Sequence, residues 1–288
     1  MSHVITAPAE SVDEGRLGFR NRWYRETSFV AGVGILALLA LMAFLAPALS
    51  RYNPITQDPS NILQMPSTLH WLGTDHLGRD VWVRLWVAAR IDLVVGALAI
   101  VTPFVVGTVL GCLAAYFGGW WDRSVMRLVD VVVAFPYYVL VIAMVFALGP
   151  GAPSIIIAIA LVGWVSYTRI IRAEVLVARQ HDYALAARAA GLSHIRVIVR
   201  HIIPNTIQQS IVYAMSDIVM AILAIVTLGY LGLGVEPPTP DWGQMIADGQ
   251  AFIMTNWMLS TIPGIAVIIT GLGLSLLGDG LAALLEPE

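Results

Sequence analysis

Long apolar runs separated by short polar connections make up most of the sequence after residue 28. A helix that crosses a hydrocarbon layer roughly 30 Å thick needs about 20 apolar residues. Six stretches meet this requirement: residues 29–49 and, approximately, 93–117, 125–148, 154–171, 207–230 and 258–277. The sequence GPGAPS at residues 149–154 predicts a turn between the third and fourth stretches, and Pro136 predicts a kink within the third. The pattern therefore predicts an all-α integral membrane protein with six transmembrane helices.

The composition agrees with a membrane protein and excludes several activities. Hydrophobic residues make up 58% of the chain, charged residues only 12%, and the mean hydropathy is +0.78. All 16 residues counted as Lys or Arg are arginine, so the chain lacks the lysine with which a P-loop binds nucleotide phosphates. The net charge of -3 gives no basic field for nucleic acid. We predict no catalytic residue, bound metal or cofactor in this chain, so any energy from nucleotide hydrolysis has to come from another polypeptide.

The arginines are distributed unevenly between the two sides of the predicted bundle. They cluster before the first stretch, between the second and third, and after the fourth, whereas residues 149–154 and 232–256 contain none. The exception is the long segment after the first stretch, which holds Arg51, Arg79, Arg84 and Arg90, but arginine bias is a weak guide in long loops. Because cytoplasmic connections are enriched in arginine and lysine, we predict that both termini are cytoplasmic. The predicted organisation is a tail at 1–28, a first transmembrane helix at 29–49, an extracytoplasmic segment at 50–90, a five-helix domain at 91–282 and a tail at 283–288.

The connection after the fourth stretch carries five arginines and two short helical patterns. Each arginine costs about 2.5–3.5 kcal/mol at the centre of a bilayer, so the connection stays in water or at the headgroups. We predict a helix that Asp182 caps and that runs to Ala190, followed by a left-handed stop at Gly191. A second helix is predicted from a Ser193 cap to Pro204, with one apolar stripe formed by Ile195, Ile198, Val199 and Ile202.

This helical connection has two interpretations. One is a simple connector on the membrane surface. The other is a helix that inserts into a groove of a partner protein, because its many alanines let another backbone come close.

The sequence YALAARAAGLSHIRVIVRHIIPN at residues 183–205 resembles the EAA loop of binding-protein-dependent ABC importer permeases. That pattern has Glu-Ala-Ala, three further residues, a glycine and a later Ile-x-x-Pro, and Ala186, Ala187, Gly191 and Pro204 match it. Leu185 stands where the pattern has glutamate, and His201 where it has isoleucine. The resemblance implies that the contact with an ATPase subunit is made by Tyr183, Leu185, Ala186, Ala187, Arg188, Gly191 and Pro204.

Four further segments, residues 70–93, 116–136, 228–249 and 276–287, resemble the C-type permease of the dipeptide/oligopeptide/nickel group. The resemblance implies a type I ABC importer permease fold with a cytoplasmic coupling helix between the fourth and fifth spans, in a bacterial plasma membrane. It implies a heterodimer with a B-type permease, two ABC ATPases that bind ATP and Mg, and an extracytoplasmic solute-binding protein. The implied cargo is a di- or oligopeptide. The alternatives are nickel or a nickel chelate and, in a different class, a secondary ion-coupled transporter.

Three features leave alternatives open. Asp217 lies deep in the fifth stretch, where an ionisable side chain is costly and often functional. It either lines the translocation path or forms a hydrogen bond with a neighbouring helix. The cluster of His70, Asp75, His76 and Asp80 is either a metal site or a capped turn, which the resemblance favours. The glycines of TLGYLGLG at residues 227–234 permit either close helix contact or an ordinary helix end.

Overall fold

The computed structural model describes residues 26–285 of the chain. A 3-10 turn, Pro59–Asn61, lies between the first two helices, and a π-helical turn, Ile198–Ile202, separates α7 from α8. The α-helices are α1 Thr27–Leu49, α2 Val81–Phe117, α3 Gly119–Val133, α4 Tyr137–Leu148, α5 Ala152–Ala178, α6 Asp182–Ala189, α7 His194–Val197, α8 Ile203–Tyr230, α9 Trp242–Gln250 and α10 Met258–Leu285.

Within the described residues, five helical segments are long and apolar enough to cross a membrane: α1, α2, α5, the continuous stretch His194–Tyr230 and α10. The third predicted span differs from the prediction, because α3 and α4 meet at an angle of 83°. Pro136 stands at this break, just before α4, where it cannot donate a backbone hydrogen bond to continue α3. The all-α membrane fold is confirmed, with six spans if the bent pair counts as one.

Two of the helices extend beyond the apolar stretches that predicted them. α2 begins at Val81 instead of near residue 93, because the Asp80 carboxylate accepts a hydrogen bond from the Val83 N–H at 2.9 Å and caps the helix. Its first turns bury the polar residues Arg84 and Asp92, which interrupt the apolar pattern. α10 continues beyond its apolar stretch, which ends near residue 277, through Asp279 to Leu285.

Glycines let the main helices pack with their backbones in contact. A Cβ atom on Gly107 would lie 2.4 Å from the Trp164 carbonyl oxygen, and one on Gly111 would lie 2.5 Å from that of Thr168. Both glycines are on α2 and both neighbours on α5, so these two helices cross as closely as backbones allow. α1 packs against α10 in the same way, since a Cβ on Gly32 would lie 2.5 Å from the Leu277 nitrogen.

Candidate functional site

The coupling segment, which we define as residues 179–206, joins α5 to α8. His181, not Asp182, is the N-cap residue of α6, and Asp182 is the first residue of the helix. Gly191 has a φ of 79° and ends the helical turn in the left-handed region as predicted. Ser193 occupies the N-cap position of α7. The first predicted short helix is therefore present with a corrected cap, and the second begins at its predicted cap but continues into α8.

α6 has one buried and one exposed face. Ala184 and Ala187 are buried, and Ala187 belongs to a cluster with Tyr116, Val175 and Ile198 from α2, α5 and the π-helical turn. These small side chains therefore pack within the chain itself, whereas one of the two interpretations of the sequence had the alanines facing a partner protein. Ala187 is therefore an internal packing residue. The other residues that were predicted to contact an ATPase and that lie on α6 or just after it are exposed: Tyr183, Leu185, Ala186, Arg188 and Gly191.

The second half of the coupling segment differs from the predicted helix in two respects. Ile198 and Ile202 are buried, but Ile195 and Val199 are exposed, so the four residues do not form one stripe. Pro204 lies in the first turn of α8 and does not end a helix. The helix continues because the preceding π-helical turn, Ile198–Ile202, changes the hydrogen-bond spacing before the proline, which has no N–H to donate.

Polar contacts join the coupling segment to the end of α2, and join the last turns of α5 to α3. A hydrogen bond of 3.0 Å joins Tyr116 Oη at the end of α2 to His194 Nδ1 at the start of α7. Arg179 Nη1 donates to the Ala115 carbonyl oxygen at 2.6 Å. The Arg172 guanidinium on α5 binds both carboxylate oxygens of Asp122 on α3, at 2.5 and 2.7 Å. Such bidentate pairs fix relative orientation as well as distance.

Asp217 contacts a neighbouring helix, one of the two alternatives that its position allowed. The Tyr167 hydroxyl on α5 donates a hydrogen bond to Asp217 Oδ2 at 2.9 Å. Tyr213 lies one helical turn before Asp217, and its ring is 5.0 Å from that of Tyr167. Asp217 is only partly buried, so the carboxylate also reaches the surface of the chain. Sequence reasoning missed both tyrosines; the i, i+4 spacing of Tyr213 and Asp217 was the available signal.

The residues predicted as a metal site or a capped turn interact in separate pairs. His70 Nδ1 lies 2.8 Å from Asp80 Oδ2, and the Arg79 Nε donates to Asp75 Oδ2 at 2.7 Å. His76 stacks its ring on that of Phe252. Within residues 26–285, no group of three potential ligands is arranged to hold a metal ion. Gly78, with a φ of 74°, forms the turn that brings these residues together.

The glycines that follow Thr227 allow close packing around Asp241, the N-cap residue of α9. Asp241 Oδ1 accepts a hydrogen bond from the Gln244 N–H at 2.8 Å. Burial raises the pKa of this carboxyl. A Cβ on Gly229 would lie 2.2 Å from Asp241 Oδ1, and one on Gly243 would lie 2.1 Å from the Val226 carbonyl oxygen. Close contact of α8 with α9 is therefore the reason for glycine at residue 229.

The sequence of the chain matches a known family of membrane transport proteins. Residues 107–288 match the binding-protein-dependent transport system inner membrane component. The chain belongs to this family. Residues 18–66 of the permease also match the N-terminal transmembrane domain of oligopeptide transport permease C. The two matched regions contain α1, the last part of α2 from residue 107 and every later helix, so the resemblance found in the sequence is confirmed.

Several relatives are similar over most of the permease. The dipeptide transport system permease protein DppC of Alkalihalophilus pseudofirmus is 38% identical over 259 residues, 90% of this chain and 85% of that protein. The probable D,D-dipeptide transport system permease protein DdpC of Escherichia coli K12 is 37% identical over 259 residues, 90% and 87% of the two chains. The glutathione transport system permease protein GsiD of Pectobacterium atrosepticum is 35% identical over 290 residues, 99% and 96%.

One solved structure has the same fold. The inward-facing MetNI methionine ABC transporter contains a chain that superposes with a TM-score of 0.54 at 17% identity, covering 72% of the permease and 97% of that chain. This likeness confirms the ABC importer permease fold. The permease is therefore a multi-pass membrane subunit of a family of transport permeases.

Proposed function

We propose that the permease is the C-type transmembrane subunit of an ATP-driven importer of dipeptides or oligopeptides in a bacterial plasma membrane. The names of the dipeptide and glutathione permeases to which it is similar support the cargo class. The observation that carries the ATP-driven part is the two-sided α6. Its buried alanines fix it to the bundle, while Tyr183, Leu185 and Arg188 on the opposite side are exposed.

The proposed assembly contains a related B-type permease, two ABC ATPases and an extracytoplasmic solute-binding protein. With six spans, the coupling segment lies on the same side of the membrane as both termini, and the arginine distribution favours the cytoplasm for that side. The exposed face of α6 then occupies a groove on one ATPase. ATP and Mg bind to the ATPases, and this chain contributes no catalytic residue to hydrolysis.

Closure of the ATPases moves α6, and the contacts of the coupling segment pass that movement to the spans. Ala187 belongs to a buried cluster that includes residues of α2, α5 and the π-helical turn, and the Tyr116–His194 bond joins α7 to the end of α2. α2 has 37 residues and is therefore about 55 Å long, longer than the bilayer core. A movement at its Phe117 end is carried across the membrane by one continuous helix, which supports a switch between inward- and outward-facing arrangements.

Asp217 and its two tyrosines form the proposed substrate-path surface. A carboxylate within a span is costly unless it is paired or functional. Asp217 has one oxygen bonded to Tyr167 and remains partly exposed. We propose that it faces the amino terminus of a passing peptide, because an ammonium group provides the missing positive charge.

Reconstitution of both permeases and the two ATPases in proteoliposomes, with the binding protein added, tests the proposed function. We expect uptake of a labelled dipeptide that requires ATP, the binding protein and both permeases. Uptake driven by a proton gradient without ATP would instead identify a secondary transporter. Saturable ATP-dependent uptake of nickel, without uptake of the dipeptide, would show that the cargo is nickel and that the ATP-driven mechanism is correct.

The role of Asp217 is tested separately with Asp217→Asn. We expect uptake of a free dipeptide to fall about tenfold or more, because a hydrogen bond to a charged group contributes about 1.5–3 kcal/mol, while uptake of the N-acetylated dipeptide is unchanged. Tyr167→Phe is the control for the helix contact. An equal loss for both peptides in Asp217→Asn would make the carboxylate a structural contact only.

A further inference from the structure

A groove with one apolar wall and a polar rim lies between the end of α1 and the connection that follows it. Its volume is about 520 Å³. Met42, Leu45 and Leu49 of α1 form the apolar wall, and Trp71 and Trp82 face them. The rim is formed by Ser50, Arg51, Tyr52 and Thr68. Neither the coupling segment nor the Asp217 surface contributes to this groove.

The length of α1 places this groove at a membrane boundary. Its 23 residues extend about 35 Å, little more than the roughly 30 Å of the hydrocarbon core. The last two turns, which carry the apolar wall, therefore lie just inside the hydrocarbon, and the polar rim lies at headgroup level. The rings of Trp71 and Trp82 are in contact, with centroids 5.2 Å apart and planes tilted by 58°, and Trp71 is 63% exposed, as expected in an interfacial aromatic belt.

The charge on the rim is positive. Arg51 is exposed and, among residues 26–285, has no carboxylate within ion-pair distance. Asp80 also lines the groove, but its oxygens are engaged by His70 Nδ1 and by the Val83 N–H. An arginine beside a tyrosine and two hydroxyl side chains is suited to bind a phosphate group.

We propose that this groove binds one anionic phospholipid, with an acyl chain along α1 and the phosphate at Arg51. The size of the groove favours an acyl chain over a protein helix. A helix about 10 Å across would fill this volume with little more than one turn, whereas an acyl chain follows the narrow space between α1 and the tryptophans. The inference depends on membrane insertion alone and does not rest on the cargo or the ATPase.

Lipid retention by the intact transporter tests this site. The complex is purified in detergent, supplied with phosphatidylglycerol or phosphatidylcholine, and analysed by native mass spectrometry. We expect one retained phosphatidylglycerol per copy of the permease. Ala46→Trp fills the groove and reduces retention at least tenfold. Arg51→Gln keeps retention but loses the preference for phosphatidylglycerol over phosphatidylcholine.

Leu38→Trp is the matched control, because Leu38 is 60% exposed on the same helix but does not line the groove. It retains lipid as the native chain does. Unchanged retention in Ala46→Trp, or no lipid preference in the native complex, would overturn the proposal. So would efficient cross-linking of Leu49→Cys to another subunit, because a protein would then cover the groove. Melting temperatures of the variants exclude misfolding as the cause of lost lipid.

Discussion

The permease has two long polar connections that contain the same residue types and use them in opposite ways. In the connection at residues 50–80, the charged side chains next to α2 are turned inward. Asp75, Arg79 and the adjoining Arg84 are buried and form ion pairs with N–O distances of 2.7 and 3.4 Å. In the coupling segment, Arg188, Arg196 and Arg200 are exposed. The buried residues there are alanines, aliphatic residues and Thr206, and none is charged.

This difference separates a rigid part of the molecule from an interacting part. A buried ion cluster pays for its desolvation only when every partner is present, so the first connection is fixed in one arrangement. The coupling segment requires no such pairing on its outer face, which is left available for another protein. Arg79 Nη2 also lies 3.5 Å from Asp248 on α9, so the rigid cluster extends to the connection between α8 and α10.

The largest effect on stability is expected at the buried cluster. In Asp75→Asn, the carboxylate that pairs with Arg79 and Arg84 is lost, and an amide N–H group has to face these donors. Removing one partner of a buried pair costs about 3–5 kcal/mol. We expect the variant to accumulate poorly in the membrane, or to melt well below the native protein in a thermal size-exclusion assay.

Asp248→Asn is the control, because Asp248 is partly exposed and pairs with Arg79 at the longer distance of 3.5 Å. Its expected effect is at most about 1 kcal/mol. Equal melting temperatures for Asp75→Asn and the native protein would show that the cluster is not the rigid part.

The next effect is expected where α6 packs on the bundle. Ala187→Phe inserts a large ring into the cluster of Tyr116, Val175 and Ile198. Overpacking of this kind costs about 1–3 kcal/mol, so we expect α6 to detach and the coupling segment to become sensitive to protease. Ala186→Phe, at the neighbouring exposed position, is expected to keep native protection. Native protection in both variants would contradict the packing role of Ala187.

A smaller effect is expected from the bond that joins the coupling segment to α2. Tyr116→Phe removes the hydroxyl that bonds His194, with an expected loss of about 0.5–1.5 kcal/mol. Because this bond connects α7 to a membrane-crossing helix, more ATP is expected to be hydrolysed per dipeptide transported, while the ATPases stay bound.

A double-mutant cycle with His194→Phe gives the test of this connection. The measured quantity is the ratio of ATP hydrolysed to peptide transported. We expect the effects of the two substitutions on this ratio to be non-additive, because each variant removes the same bond. Additive effects, or a native ratio in Tyr116→Phe, would show that the bond has no part in coupling.

The sequence predicted the helices of the fold better than it predicted how they pack against one another. Apolar stretches and the signals at Gly191 and residues 149–154 were sufficient to find the spans and the coupling segment. The buried Arg84 and Asp92 hid the first turns of α2, because apolar pattern alone does not reveal a polar residue that is paired inside the protein. The orientation of Ala187 and the π-helical turn before Pro204 depend on packing against α2 and α5, which no local pattern contains.

The smallest effect on stability is expected at the exposed face of α6, where it is paired with a large effect on assembly. Leu185 is 52% exposed, so Leu185→Asp changes the stability of the permease by no more than about 0.5 kcal/mol. An acidic group in a docked apolar contact is left desolvated, so far less ATPase is expected to purify with the variant complex. Ile195→Asp is the control, since Ile195 is 73% exposed but lies on α7. Loss of the ATPase in Ile195→Asp but not in Leu185→Asp would place the docking face on α7 instead of α6. The coupling segment would still be the interacting connection, but with a different contact helix.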